Sequence, residues 1–159
     1  QNYIRVSKQK TFSVPRSKES LPAKKSIFNK IVCDSHFELV FAGFLDASND
    51  VNRFIKNYMQ LGFKMEYINH EGGISYYYPD FVVHLNNGER FIVETKGAEN
   101  LDDFRKIKRL RNWCEDASMS TGKKYSYLYV RQEDWINLVV TPNTFSEIIP
   151  VFRDLENNN

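Results

Sequence analysis

A mixed β-sheet covered by helices is the fold class that this sequence predicts, on three observations. Two apolar runs, residues 77–85 and 90–96, flank Asn87-Gly88, the dipeptide that most strongly signals a β-hairpin. A long amphipathic stretch opens at Asp102-Asp103, and Phe104, Ile107, Leu110, Cys114 and Ala117 step along one face of it. Residues 124–131 then read as a further strand, with Tyr125, Tyr127 and Tyr129 on one side. A hairpin, a helix and a later strand together describe an α/β domain whose sheet is buried under helices.

The elements follow in order. Residues 1–30 hold serines, lysines and two prolines without a sustained period, so they read as a basic extended arm or linker. Order is expected from Ile31, which makes residues 31–159 the folded domain. Asp34 or Ser35 caps a helix in which Phe37, Val40, Phe41, Phe44 and Leu45 recur at helical spacing. Residues 51–57 fit either a strand or more helix. Residues 62–69 read as a strand, and Gly72-Gly73 as a turn. The hairpin, long helix and tyrosine-rich strand come next, and a final helix is expected over 144–152.

Composition narrows the function classes. The longest unbroken apolar run, residues 39–45, is far shorter than the roughly 18 residues a membrane span needs. The N-terminal residues carry no apolar signal segment. With two cysteines, Cys33 and Cys114, the chain can build neither a disulfide framework nor a Cys-rich zinc site, so a reducing, intracellular setting is expected. Charge is unevenly placed. Residues 1–30 carry eight Lys/Arg against Glu19 alone, while the remainder carries 14 basic and 19 acidic residues. A basic arm on a mildly acidic body points either to a polyanionic partner or to a solvated linker. The first residue, Gln1, and the last three, Asn157 to Asn159, are the ends expected of a piece of a longer chain.

The residues that carry chemistry sit around the hairpin. Alternation puts Glu94 and Lys96 on one face of the second strand and Thr95 on the other. Antiparallel pairing about Asn87-Gly88 brings Asp80, at the head of the first strand, towards the same end. Neighbouring carboxylates repel, so such a pair implies a bound cation or a shifted pKa. Oxygen donors with few histidines favour Mg²⁺ or Mn²⁺ over zinc. Glu38, amid Phe37, Leu39, Val40 and Phe41, is either a solvent-facing helix residue or a third member of the site. Arg105, Lys108, Arg109 and Asn112 share a helix face beside this cluster, with Arg111 close by, and could grip backbone phosphates. No phosphate-binding loop occurs anywhere in the chain.

Tyr78-Pro79-Asp80-Phe81-Val82-Val83 followed by Ile92-Val93-Glu94-Thr95-Lys96-Gly97 resembles the PD-(D/E)xK nuclease superfamily. With Glu38, Phe54-Ile55-Lys56-Asn57, Ile107-Lys108-Arg109-Leu110 and Trp113-Cys114, residues 30–153 resemble the C-terminal endonuclease domain of type III restriction enzymes and related helicase-fused restriction proteins. The resemblance implies a restriction-endonuclease-like fold with an αβββαβ core. It implies Mg²⁺, with Mn²⁺ able to substitute, held by Asp80, Glu94 and the main-chain carbonyl of Thr95, with Glu38 as an additional ligand directly or through water. Lys96 would position or activate the attacking water. Arg105, Lys108, Arg109 and Arg111 are the candidate DNA-binding residues.

The implied activity is metal-dependent hydrolysis of DNA phosphodiester bonds. The implied partners are DNA, a helicase or translocase region of the same polypeptide, a methyltransferase (modification) subunit, and a second copy meeting it on DNA. No membrane is implied, and the setting is the prokaryotic cytoplasm. Two other readings stand beside this one: a module of the same fold that binds or docks without cutting, and a same-fold nuclease acting on RNA or branched DNA.

Overall fold

The computed structural model describes residues 8–13 and 17–157. At its centre is a four-stranded sheet of β3 (Val51–Lys56), β6 (Phe81–Leu85), β7 (Arg90–Lys96) and β8 (Tyr125–Arg131), in that spatial order. The first two pairings are antiparallel and β7–β8 is parallel. A parallel neighbour needs a crossover, and α2 (Asp103–Thr121) supplies it. With α1 (His36–Ala47) ahead of β3, the order α1-β3-β6-β7-α2-β8 is the αβββαβ core of a restriction-endonuclease-like fold. Inserted between β3 and β6 is a hairpin of β4 (Met65–Ile68) and β5 (Ile74–Tyr77).

Strand alternation divides the interior into two layers. Phe81, Val83, Phe91, Val93, Leu128 and Val130 face α1 and α4 (Phe145–Asn157), and pack with Phe37, Phe41, Leu45, Phe145 and Ile148. Ile92 and Val82 face α2, meeting Leu110, Cys114, Met65 and Tyr77. Trp135, from α3 (Gln132–Ile136), closes the first layer with rings of Phe37, Phe41 and Phe44 around it. Both cysteines are buried free thiols. Among the described residues no helix is long and apolar enough to cross a membrane.

The local choices have readable causes. Ser35 caps α1 by accepting the Glu38 N–H, while Glu38 reaches back to the Asp34 N–H at 3.2 Å. The Asn87-Gly88 turn closes the β6–β7 hairpin, with Gly88 at φ 89°. Residues 51–57 resolve in favour of a strand.

Several expectations need correction. The segment expected as a basic extended arm or linker, residues 1–30, contains β1 (Ser20–Pro22), which pairs with β2 (Lys30–Val32). Asp46 Oδ1 also accepts the Lys24 and Lys25 N–H groups, both at 2.8 Å. Three-residue strands carry too little periodicity to be legible. Residues 1–7 and 14–16 of that expected arm, Arg5 and Arg16 included, lie outside the described residues. The run 77–85 is two strands, because Pro79 has no N–H to give a ladder and Asn57 Nδ2 takes the Pro79 carbonyl at 2.8 Å. The strand expected from Gly62 starts only at Met65, after a 3₁₀ turn over Met59–Leu61. Phe104, expected on the apolar face of the long helix, is 74% exposed.

Candidate active site

The register of the β6–β7 hairpin, Phe81 opposite Val93, sets Asp80 and Glu94 against each other where the paired strands end. Asp80 is tightly held. Its Oδ2 accepts the Thr95 N–H at 2.8 Å and the Thr95 hydroxyl at 2.6 Å. Its Oδ1 lies 2.8 Å from Lys56 Nζ. Its main-chain carbonyl accepts the Asn57 N–H, which locks the end of β3 to the Pro79-Asp80 segment. Glu94 Oε2 accepts the Tyr77 hydroxyl at 3.0 Å.

Burial and the nearby Asp80 charge push the Glu94 carboxyl up to about 8, against the opposing pull of the Tyr77 hydrogen bond, Lys96 and Lys106. Burial and the Glu94 charge in turn hold the Tyr77 phenol well above its ordinary range. That direction favours the protonated form of Glu94, and a positive charge brought beside it would favour the ionised one. Among the described residues no three His, Cys, Asp or Glu side chains form a ready metal cluster. The Asp80 and Glu94 carboxylates, set against each other by the register, are oxygen donors of the kind a hard divalent cation takes.

Lys96 follows Glu94 by two residues on the same strand, and its Nζ lies 3.0 Å from Asp103 Oδ1. Asp103 is buried at the start of α2, where its other oxygen accepts the Asn100 N–H at 2.7 Å. Glu38 also reaches this region, but through Lys56: its Oε2 lies 2.8 Å from Lys56 Nζ. Burial alone would depress the Lys56 ammonium, yet Asp80 and Glu38 outweigh it and hold the lysine above its ordinary range. On β8, opposite Glu94, Tyr129 has a buried hydroxyl without a hydrogen-bond partner.

Lys56, Tyr77 and Asp103 are the site residues that sequence reasoning missed. Asp103 lies seven residues after Lys96, and its signal was spent on helix initiation. Lys56 stood within the Phe54-Ile55-Lys56-Asn57 run of the resemblance, without a role of its own.

Of the expected phosphate-gripping residues, the three arginines each have a protein partner. Arg105 turns back on the Leu101 carbonyl at 3.1 Å, and Arg109 donates to the Glu66 carbonyl at 3.1 Å. Arg111 sits over the Tyr127 ring and donates to its hydroxyl at 2.8 Å. Lys108 stands exposed on the outer face of α2.

The sequence matches the RE_endonuc family, described as an endonuclease domain, over residues 24–133. That span is more than half of the chain and contains Glu38, Lys56, Asp80, Glu94, Lys96 and Asp103. The chain belongs to this endonuclease-domain family. No curated protein and no solved structure matches it. The match starts inside the segment expected as an arm, in keeping with the pairing of β1 and β2, so the body of this endonuclease domain begins before Ile31.

Proposed function

We propose that this endonuclease domain hydrolyses DNA phosphodiester bonds with the help of Mg²⁺, or Mn²⁺ in its place, held by Asp80, Glu94 and the Thr95 carbonyl. The observation that carries the proposal is the Asp80–Glu94 pair, which the hairpin register sets against each other at the end of β6 and β7. A bound divalent cation would supply a lowered water pKa and neutralise charge on the phosphate. Thr95 fixes the Asp80 carboxylate through two hydrogen bonds, so its orientation is set before any ligand arrives. Asp103 holds the Lys96 ammonium near Glu94, where it can orient a water and offset charge on a phosphate oxygen in the transition state. Proton release from Glu94 readies it as an anionic ligand.

The resemblance of residues 30–153 supports a more specific placement. The domain would be the cleavage module of a type III-like restriction enzyme in the prokaryotic cytoplasm, joined to an ATP-dependent translocase in the same polypeptide. It would work beside a methyltransferase subunit, with two copies meeting on DNA to cut both strands. Arg105, Lys108, Arg109 and Arg111 are proposed to contact DNA phosphates. Incubating the chain with plasmid, single-stranded DNA and RNA, with and without Mg²⁺, tests the reading. Metal-dependent nicking or cutting of DNA, lost in Asp80→Ala, is the expected result. Equal cleavage by the two proteins would overturn it. Binding without cutting in either metal would favour a docking module, and cleavage of RNA alone would change the substrate.

A further inference from the structure

Lys56, from the Phe54-Ile55-Lys56-Asn57 run, has a place in this site that the sequence pattern leaves without a role. Its side chain is 5% exposed, with Nζ equidistant, at 2.8 Å, from Glu38 Oε2 and Asp80 Oδ1. The Phe81 ring lies 5.0 Å from the same nitrogen. Its strand neighbour Asn57 donates to the Asp80 carbonyl through the backbone and to the Pro79 carbonyl through the side chain. The Lys56 head and its chain neighbour Asn57 are thus both tied to the Pro79-Asp80 segment, and drawing the buried ammonium away from its two carboxylates would be costly.

Counting lone pairs shows what this leaves for metal. An ionised carboxylate offers about four acceptor positions. Asp80 already commits three, to Lys56 and to the two Thr95 donors. About one is left, enough to join a single cation shared with Glu94. Two-metal phosphodiesterase sites hold their ions roughly 3.5–4 Å apart as a clamp on the two reacting oxygens. Here the space between Glu38 and Asp80, where a second ion would be shared, contains an ammonium.

We propose that Lys56 fills with its own positive charge the position a second divalent cation would take. The domain then binds one metal ion per chain, on the Asp80–Glu94 side, and Glu38 is the counter-ion of Lys56 instead of a metal ligand. This rests on the metal-dependent reading above. An ammonium at that point supplies fixed charge without exchange or coordination.

Titrating the full 159-residue chain with Mn²⁺ and counting free ion by electron paramagnetic resonance tests it. Wild type should bind one Mn²⁺. Glu38→Gln should still bind one, with affinity within about threefold, because the lost carboxylate served the lysine. Lys56→Ala opens the position between the two acids and should bind two. Two ions in wild type, a tenfold or greater loss of affinity in Glu38→Gln, or a single ion in folded Lys56→Ala would each overturn the proposal. Should Lys56→Ala not fold, the wild-type count and the Glu38→Gln affinity decide it. A failure of the underlying metal reading shows differently, as no Mn²⁺ bound by wild type or as binding unchanged by Asp80→Ala.

Discussion

Replacing Glu94 by Gln should change how the stability of the metal-free protein depends on pH. In the unfolded chain this carboxyl titrates near 4.5, and in the folded chain near 8, because of burial and the Asp80 charge. Between those values the folded state holds a proton that the unfolded state releases, so Glu94 contributes most at low pH. That contribution falls as pH rises through the window and is gone above about 8. At about 1.4 kcal/mol per pH unit, the full fall is on the order of 5 kcal/mol, a large share of a typical domain's stability. Gln resembles the protonated carboxyl and takes up no proton in either state. Urea unfolding of both proteins in chelator, from pH 5 to pH 9, should therefore give nearly equal stabilities at pH 5. The variant should pull ahead steadily to about pH 8, and the gap should then stay constant. Curves that run parallel across the whole range would refute the buried, protonated Glu94. The same linkage predicts that Mg²⁺ binding at pH 7 releases close to one proton, read as a buffer-dependent heat in calorimetry, and that this release vanishes above pH 9.

Lys96→Met keeps most of the stem and removes the charge, so DNA cleavage should fall by roughly 10²–10³-fold while Mn²⁺ affinity stays unchanged. Asp103→Asn should slow cleavage in the wild-type background and add nothing once Lys96 is Met, because the aspartate acts through that ammonium; additive losses would assign it to fold stability alone. Phe81→Ala empties a fully buried position between α1 and β3 and should cost about 3–5 kcal/mol in urea unfolding without moving the sheet register. Alanine at both Arg105 and Lys108 should weaken DNA binding equally for all sequences and lower the salt slope by about two, and an unchanged slope would remove that face of α2 from the interface.

The parts of this architecture that could be read in advance were those written in local pattern. Asn87-Gly88 marks the turn, and the observed hairpin closes over three residues, 86–88, with Leu85 bonded to Glu89; that register, one residue away from a two-residue Asn-Gly turn, puts Asp80 opposite Glu94. The long helix was equally legible as a period, although Phe104 was placed on its apolar face. That error is physical: the packed face of α2 is narrow, centred on Leu110 and Cys114, and an aromatic near the helix start can satisfy a periodic count while facing water. Pro79 was read as part of a motif, when it also separates β5 from β6, which belong to different sheets. Lys56 is the deepest omission. Its partners lie 18 and 24 residues away, on a helix and at a strand head, and only the closed fold brings them to one nitrogen.

The segment before β2 has a consequence for association between chains. β3 is an outermost strand of the central sheet, and such a strand offers unpaired N–H and C=O groups to any extended segment that drifts past. Here the offer is already taken: the Phe54 N–H goes to the Lys25 carbonyl at 3.1 Å, and Ser26 bridges alongside Phe54. Asp46 anchors that stretch through the Lys24 and Lys25 amides. A foreign strand would have to peel it away before adding itself to the sheet. On the same strand Asn52 and Arg53 point to solvent, where apolar residues would invite stacking. The chain thus carries its own protection against edge-to-edge aggregation on the side of the sheet that also holds Lys56.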